Sequence, residues 1–144
     1  MRYLLVDAHS VIFAWSALRA VHERHMEAAR EQLIQRMVAY QDATGTRVVV
    51  VFDGSGQTTQ EEKRPGSVQI FYSGRKGGAD QVIERLVAKY GQQHDMTVAT
   101  NDRLVQQTCI TFGGLAMSVE ALVADLERAD ADVSRRIRKM RKQR

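Results

Sequence analysis

The chain reads as a three-layer α/β domain, a mainly parallel central sheet flanked by helices, and three observations predict it. Apolar runs of strand length alternate with amphipathic helical stretches along the 144 residues. The runs are apolar throughout rather than on alternate residues, as strands covered on both faces require. Three of them run abruptly into an aspartate, in YLLVDAHSV, VVVVFDGSG and MTVATNDRL.

Tyr3–Asp7 is the first buried strand, and a helical stretch follows from Val11 to Ala20. A second helix, Met26 to Asp42, sets Met26, Ala29, Leu33, Met37 and Tyr40 on one face and stops at Gly45, which suits a left-handed cap. Arg47–Phe52 is the second strand. From Asp53 to Ser67 the composition turns glycine-rich and polar and holds the only proline, so this segment reads as a surface loop. Val68–Tyr72 is a short third strand. SGRKGG then leads into a helix whose Ala79, Val82, Ile83, Leu86, Val87 and Tyr90 keep helical spacing. Met96–Ala99 is the fourth strand, Asp102–Thr111 a short helix and Leu115–Met117 a fifth strand. From Val119, the apolar positions Leu122, Val123, Leu126, Val133, Ile137 and Met140 predict a long final helix. No internal repeat is visible.

A hydrophobic content of 44% and a charged content of 26% exclude a disordered or fibrous chain. The single cysteine, Cys109, excludes an internal disulfide. With no basic-plus-apolar leader and no apolar run of about 18 residues, the expectation is a cytoplasmic protein without a membrane partner.

The formal charge of +4 hides an asymmetry. SRRIRKMRKQR, from Ser134 onward, carries seven basic residues and no acidic one; the remainder holds 14 basic against 17 acidic residues, a net of −3. The division expected is a domain over residues 1–128 and a basic helical tail over 129–144, facing a polyanion. The plainer alternative is a solvated terminal helix.

In sheets of this kind ligands sit outside the carboxyl ends of the strands, where the direction of crossover changes. Asp7, Asp53 and Asp102 fall at such ends, and Asp80 lies in the first turn of the helix entering the fourth strand. Each alone has an ordinary explanation as a helix cap, a turn former or a dipole partner. Four on one rim repel one another and are best tolerated around a cation. Oxygen donors alone favour Mg²⁺ or Mn²⁺. Such an ion suits phosphodiester hydrolysis, with the carboxylates as ligands and one orienting water. Arg75 and Lys76, between glycines, and Lys63 and Arg64 in the loop are candidates for holding RNA phosphates, or else solvated basic turns.

YLLVDAHSVIFAW, VVVVFDG, GGADQVIERLV and VATNDRLVQQ resemble, in order and spacing, the YacP-like branch of NYN domains within the PIN-like ribonuclease superfamily. The resemblance spans Met1 to Leu126. It implies a PIN-like fold and a metal-dependent endoribonuclease acting on single-stranded RNA; some members of the family act on messenger RNA at the ribosome. It matches Asp7, Asp80 and Asp102 to the family's acidic site and adds Asp53 as a fourth ligand. Where the family usually reads D-G-Y-N, this chain has Asp7-Ala8-His9-Ser10, and Gln81 replaces a common acid after Asp80. Ser10, Asn101 and Glu84 are therefore expected as auxiliary residues, Ser10 through its hydroxyl and Glu84 through its charge. These departures leave a second expectation open: a catalytically weakened RNA- or ribosome-binding module. On either reading the protein is expected as a monomer or weak homodimer. A phosphatase or receiver domain is a distant third, since His9 stands where its second aspartate would be. His22 and His25, three apart, lack a third ligand for zinc. Trp15 could stack on a base, although an aromatic on an early apolar helix is more often core.

Overall fold

A computed structural model describes residues 1–142. Gln143 and Arg144 of the basic tail, and the side chain of Val133 among the apolar positions, lie outside the described residues. The elements are β1 (Arg2–Asp7), α1 (Ala8–Ala14), α2 (Ser16–Arg24), α3 (Met26–Thr44), β2 (Arg47–Gly56), β3 (Gln60–Glu62), β4 (Gln69–Gly74), α4 (Gly78–Tyr90), β5 (Asp95–Ala99), α5 (Arg103–Thr111), β6 (Leu115–Met117) and α6 (Val119–Lys142). They form one six-stranded sheet in the order β3-β4-β2-β1-β5-β6. Every neighbouring pair is parallel except β3 with β4.

The continuous apolar runs divide between two cores, as a sheet covered on both faces demands. Leu4, Val6, Val48, Val50 and Phe52 face α1, α2, α3 and α6, while Leu5, Val49 and Val51 face α4 and α5. Gly45, at φ 73°, closes α3 in the left-handed conformation expected of it. Met26, placed by spacing on the buried face of α3, is 46% exposed.

Two expectations need correction. The single helix over Val11–Ala20 is two helices, α1 and α2, divided at Trp15, whose backbone is extended (φ −95°, ψ 104°). The break turns Trp15 into the core at 5% exposure, which answers its ambiguity in favour of packing. The loop over Asp53–Ser67 is partly strand. β2 runs on to Gly56 through an irregular register after Phe52, and Gln60, Glu61 and Glu62 pair antiparallel with β4. Polar residues suit this solvated edge, where they also blunt association with other strands.

α6 is uninterrupted from Val119 to Lys142 and crosses the boundary placed after residue 128. Among the described residues no helix is long and apolar enough to cross a membrane. The chain builds β2 and β4 on one side of β1, then α4 carries it to β5 on the other. The direction of winding therefore reverses at the carboxyl end of β1, where Asp7 stands.

Candidate active site

Asp7 ends the central strand and is only 6% exposed. Two hydroxyls donate to its Oδ2, Ser10 Oγ at 2.7 Å and Thr100 Oγ1 at 3.2 Å. Thr100 is fully buried after β5, and its Oγ1 also accepts from the Asp102 backbone N–H at 3.2 Å. One threonine thus ties two aspartates to the sheet. Asp102 caps α5, its Oδ1 accepting from the N–H groups of Leu104 (2.9 Å) and Val105 (3.3 Å). Asp53, on β2, reaches the start of α4, where its Oδ1 accepts from Ala79 N–H at 2.9 Å. Its Oδ2 lies 3.6 Å from His9 Nε2. Gly77 (φ 85°) and Gly78 (φ 60°) permit that approach, because a Cβ on Gly78 would sit 3.1 Å from Asp53 Oδ1.

Asp7, His9, Ser10, Asp53, Asp80 and Asp102, with the Gly77–Ala79 turn, line one cleft of about 270 Å³. Asp80 is half-buried in the first turn of α4 and makes no hydrogen bond or ion pair among the described residues. Burial pushes its carboxyl up to about 6, and the negative charges of Asp7, Asp102, Asp53 and Glu84 push the same way. Its charged form lacks a counterion. The donors are hard oxygens, yet among the described residues no three carboxylate, imidazole or thiolate groups close on one point. The set fits a hard ion that keeps several of its own waters and touches one or two carboxylates, as Mg²⁺ does, rather than an enclosed protein cage.

The other expected site residues fall into three groups. Glu84 acts on Asp80 through its charge alone. Arg75 and Lys76 are exposed in the turn that leads to Gly77, with Arg75 Nε donating to the Ser55 carbonyl at 2.9 Å. Asn101, Lys63 and Arg64 do not line the cleft. Asn101 instead clamps the start of α6: its Oδ1 accepts from Val119 N–H at 3.0 Å and its Nδ2 donates to Glu120 at 2.9 Å. Arg64 is ion-paired with Glu31 (2.8 Å) and Glu62 (2.9 Å), and Lys63 is exposed beside it.

Sequence reasoning missed three residues. Thr100 lies inside the ATND segment, but its service to Asp7 crosses 93 residues. Phe13, 48% exposed, stacks on His9 with ring centroids 5.6 Å apart, and His22 meets its edge at 5.3 Å. Arg30 lies over the rings of Phe52 (5.3 Å) and Tyr72 (5.9 Å) in a groove that also contains Asp53. Cys109 is buried, and burial holds its thiol up at about 11, which excludes a reactive thiolate.

Comparison with known proteins agrees with this fold. The family model described as the YacP-like NYN domain matches residues 4–144. The Bacillus subtilis (strain 168) protein named "Uncharacterized protein YacP" is 34% identical over 142 residues, covering 97% of this chain and 84% of that protein. The crystal structure of Rae1 (YacP) from Bacillus subtilis superposes with a TM-score of 0.82 at 33% identity, over 99% of this chain and 83% of that one. A mutant form of the same protein gives 0.80 at 32% identity, over 96% and 82%. The chain belongs to the YacP-like NYN domain family, a branch of the PIN-like nuclease fold.

Proposed function

We propose that the protein is an endoribonuclease that hydrolyses phosphodiester bonds of single-stranded RNA with the help of Mg²⁺ or Mn²⁺. The observation that carries this is the facing of Asp7, Asp53, Asp80 and Asp102, from four separate elements, into one cleft at the switch point of the sheet. When bound, such an ion supplies activation of water and neutralisation of phosphate charge. Asp7, Asp80 and Asp102 would hold it, one or two of them directly and the rest through its waters, since each keeps an oxygen without a protein partner among the described residues. Asp53, with both oxygens engaged, orders the α4 turn and would reach the ion through water.

Asp80 would also orient the attacking water, whose proton passes to solvent. The water oxygen bonds to phosphorus, the bond from phosphorus to the ribose oxygen breaks, and the leaving oxygen takes a proton from solvent. Arg75 and Lys76, in the exposed turn that leads to Gly77, would steady the phosphates. The exposed Phe13 ring, stacked on His9, offers a platform for a base. The family resemblance suggests messenger RNA on the ribosome as the substrate.

A second reading, an RNA- or ribosome-binding module with weak catalysis, draws support from Ser10 and Gln81, which stand where the family usually has an asparagine and an acid. An RNA cleavage assay with Mn²⁺, repeated with EDTA and with Asp80→Asn, separates the two. Cutting only by the untreated wild type supports the nuclease, and equal cutting in all three refutes it.

A further inference from the structure

α6 starts against the segment that carries Asp102. Asn101, beside Asp102, caps its first residue, Val119, and Leu122 and Leu126 bury its first turns in the core. Asp130, ion-paired with Arg36 of α3, makes its last ion pair to the body among the described residues. Every described side chain from there to Lys142 is exposed, a length of roughly 18 Å.

This free segment carries Arg135, Arg136, Arg138, Lys139, Arg141 and Lys142. Arg135, Arg138, Lys139 and Lys142 share one face at positions i, i+3, i+4 and i+7, and Arg136 and Arg141 flank it. Among the described residues only Arg135 is ion-paired, with Asp132 at 3.1 Å. The pairs Arg135/Lys139 and Arg138/Lys142 are like charges one turn apart, which weakens a lone helix. The helix dipole accounts for the cations of the last turn, Lys139, Arg141 and Lys142, but not for the three upstream.

We infer that the exposed end of α6 is a second RNA-binding surface, an arm that anchors the phosphates of a folded RNA away from the cleft where cutting occurs. The inference rests on the proposed function for its choice of RNA as partner. Its chemistry is charge complementarity: a rod of six cations on a body of net negative charge, whose cleft by itself repels phosphate. The cationic turns start about 24 Å along α6 from its capped first residue, Val119, so one RNA occupies both sites only if it is longer than the cleft. A membrane surface fits less well, because the opposite face shows only Ile137 and Met140 among the described side chains and no aromatic residue.

The test measures binding of a long hairpin-containing RNA in EDTA, across a salt series, alongside cleavage of a short single strand in Mn²⁺. One variant replaces Arg135, Arg138, Lys139 and Lys142 by Gln; a second carries Ile137→Ser and Met140→Ser. The first variant is expected to bind the hairpin RNA at least about tenfold more weakly, with a log–log salt slope shallower by about three. It should cut the short strand as wild type does and melt at the same temperature. The second variant should match wild type throughout. Unchanged hairpin affinity and slope in the first variant overturn the inference, as does an equal loss in the second or arm-dependent capture by anionic vesicles in place of RNA. Because the binding arm needs no catalysis, failure of all cleavage would refute the nuclease reading while leaving this result to stand or fall separately.

Discussion

Ser10 Oγ, in the first turn of α1, donates back to Asp7 Oδ2 at the end of β1 over 2.7 Å. With Thr100 Oγ1 it supplies the only polar partners of a carboxylate that is 6% exposed, and no cation pairs with Asp7 among the described residues. Hydroxyls satisfy such a charge less fully than a cation would. Ser10→Ala should cost about 1 kcal/mol, or about 3–4 °C in melting temperature, and weaken Mn²⁺ binding. Asp7→Asn should do the opposite to stability, raising the melting temperature by relieving repulsion on Asp80 while abolishing cleavage. Melting curves and cleavage rates of the two variants check both signs; two losses of stability would refute the account of Asp7 as a strained charge.

Asp80 gives the apo protein a pH dependence of definite sign. Its carboxyl ionises at about 6 in the fold against an ordinary 3.8, so between those values the folded state holds more protons than the unfolded. The contribution is fully present below the ordinary value and is lost as pH rises through about 6. Solvent screening at this half-buried position reduces it to the order of 1 kcal/mol. Asp80→Asn should flatten the dependence in that window. Mg²⁺ or Mn²⁺ should raise the melting temperature more at neutral pH than at about pH 5, where protons compete with the ion. Melting temperatures across pH, with and without the ion, are the measurement, and an ion effect that grows on acidification would contradict it.

The sheet was legible where both faces of a strand are buried. β1, β2 and β5 are continuous apolar runs, and their ends locate Asp7, Asp53 and Asp102 at the rim before any coordinates are known. β3 was not legible, because an edge strand of Gln60, Glu61 and Glu62 has neither an apolar face nor a period of two. Nor was the break at Trp15, since both halves keep helical composition and only a single extended residue divides them. Asn101 shows the limit most plainly. Its neighbour Asp102 marks it as an auxiliary of the site, and its hydrogen bonds go to Val119 and Glu120, 18 and 19 residues further on. Local pattern places a residue at the rim; only the tertiary hydrogen bond tells which way it serves.

Asp102 combines two jobs that substitution can separate. Asn caps a helix about as well as Asp, so Asp102→Asn should keep the bonds to Leu104 and Val105 and leave stability within about 0.5 kcal/mol of wild type. Asp102→Ala should lose about 1 kcal/mol with the cap. Both should lose cleavage and Mn²⁺ affinity, because both remove the charge. Retained cleavage in Asp102→Asn would reduce Asp102 to a structural cap.

Gly78 should tolerate no side chain. At φ 60° an alanine costs about 1–2 kcal/mol of backbone strain, and its Cβ would stand 3.1 Å from Asp53 Oδ1, the atom that accepts from Ala79. Gly78→Ala is expected to lower the melting temperature and to lower cleavage further than stability alone explains, because Asp53 or α4 must shift. Gly45→Ala is the control: it shares a positive φ but meets nothing within 4 Å, so it should lose stability without a specific loss of cleavage.

Phe13 and Trp15, two residues apart, should behave as opposites. Trp15 is core, with the Arg36 guanidinium 5.0 Å from its ring centroid, and Trp15→Ala should cost about 3–5 kcal/mol in stability. Phe13 is 48% exposed, and its ring lies nearly parallel, at 13°, to that of His9, which lines the cleft. A base stacked there would contribute about 1–3 kcal/mol to binding of a single strand. Phe13→Ala should therefore leave the melting temperature almost unchanged and raise KM for single-stranded RNA by about tenfold or more, with a smaller change in kcat. Phe13→Tyr should restore it, since the stacking face is kept. Steady-state kinetics on one RNA with the three proteins decides the matter, and an unchanged KM in Phe13→Ala would remove Phe13 from the binding of the strand.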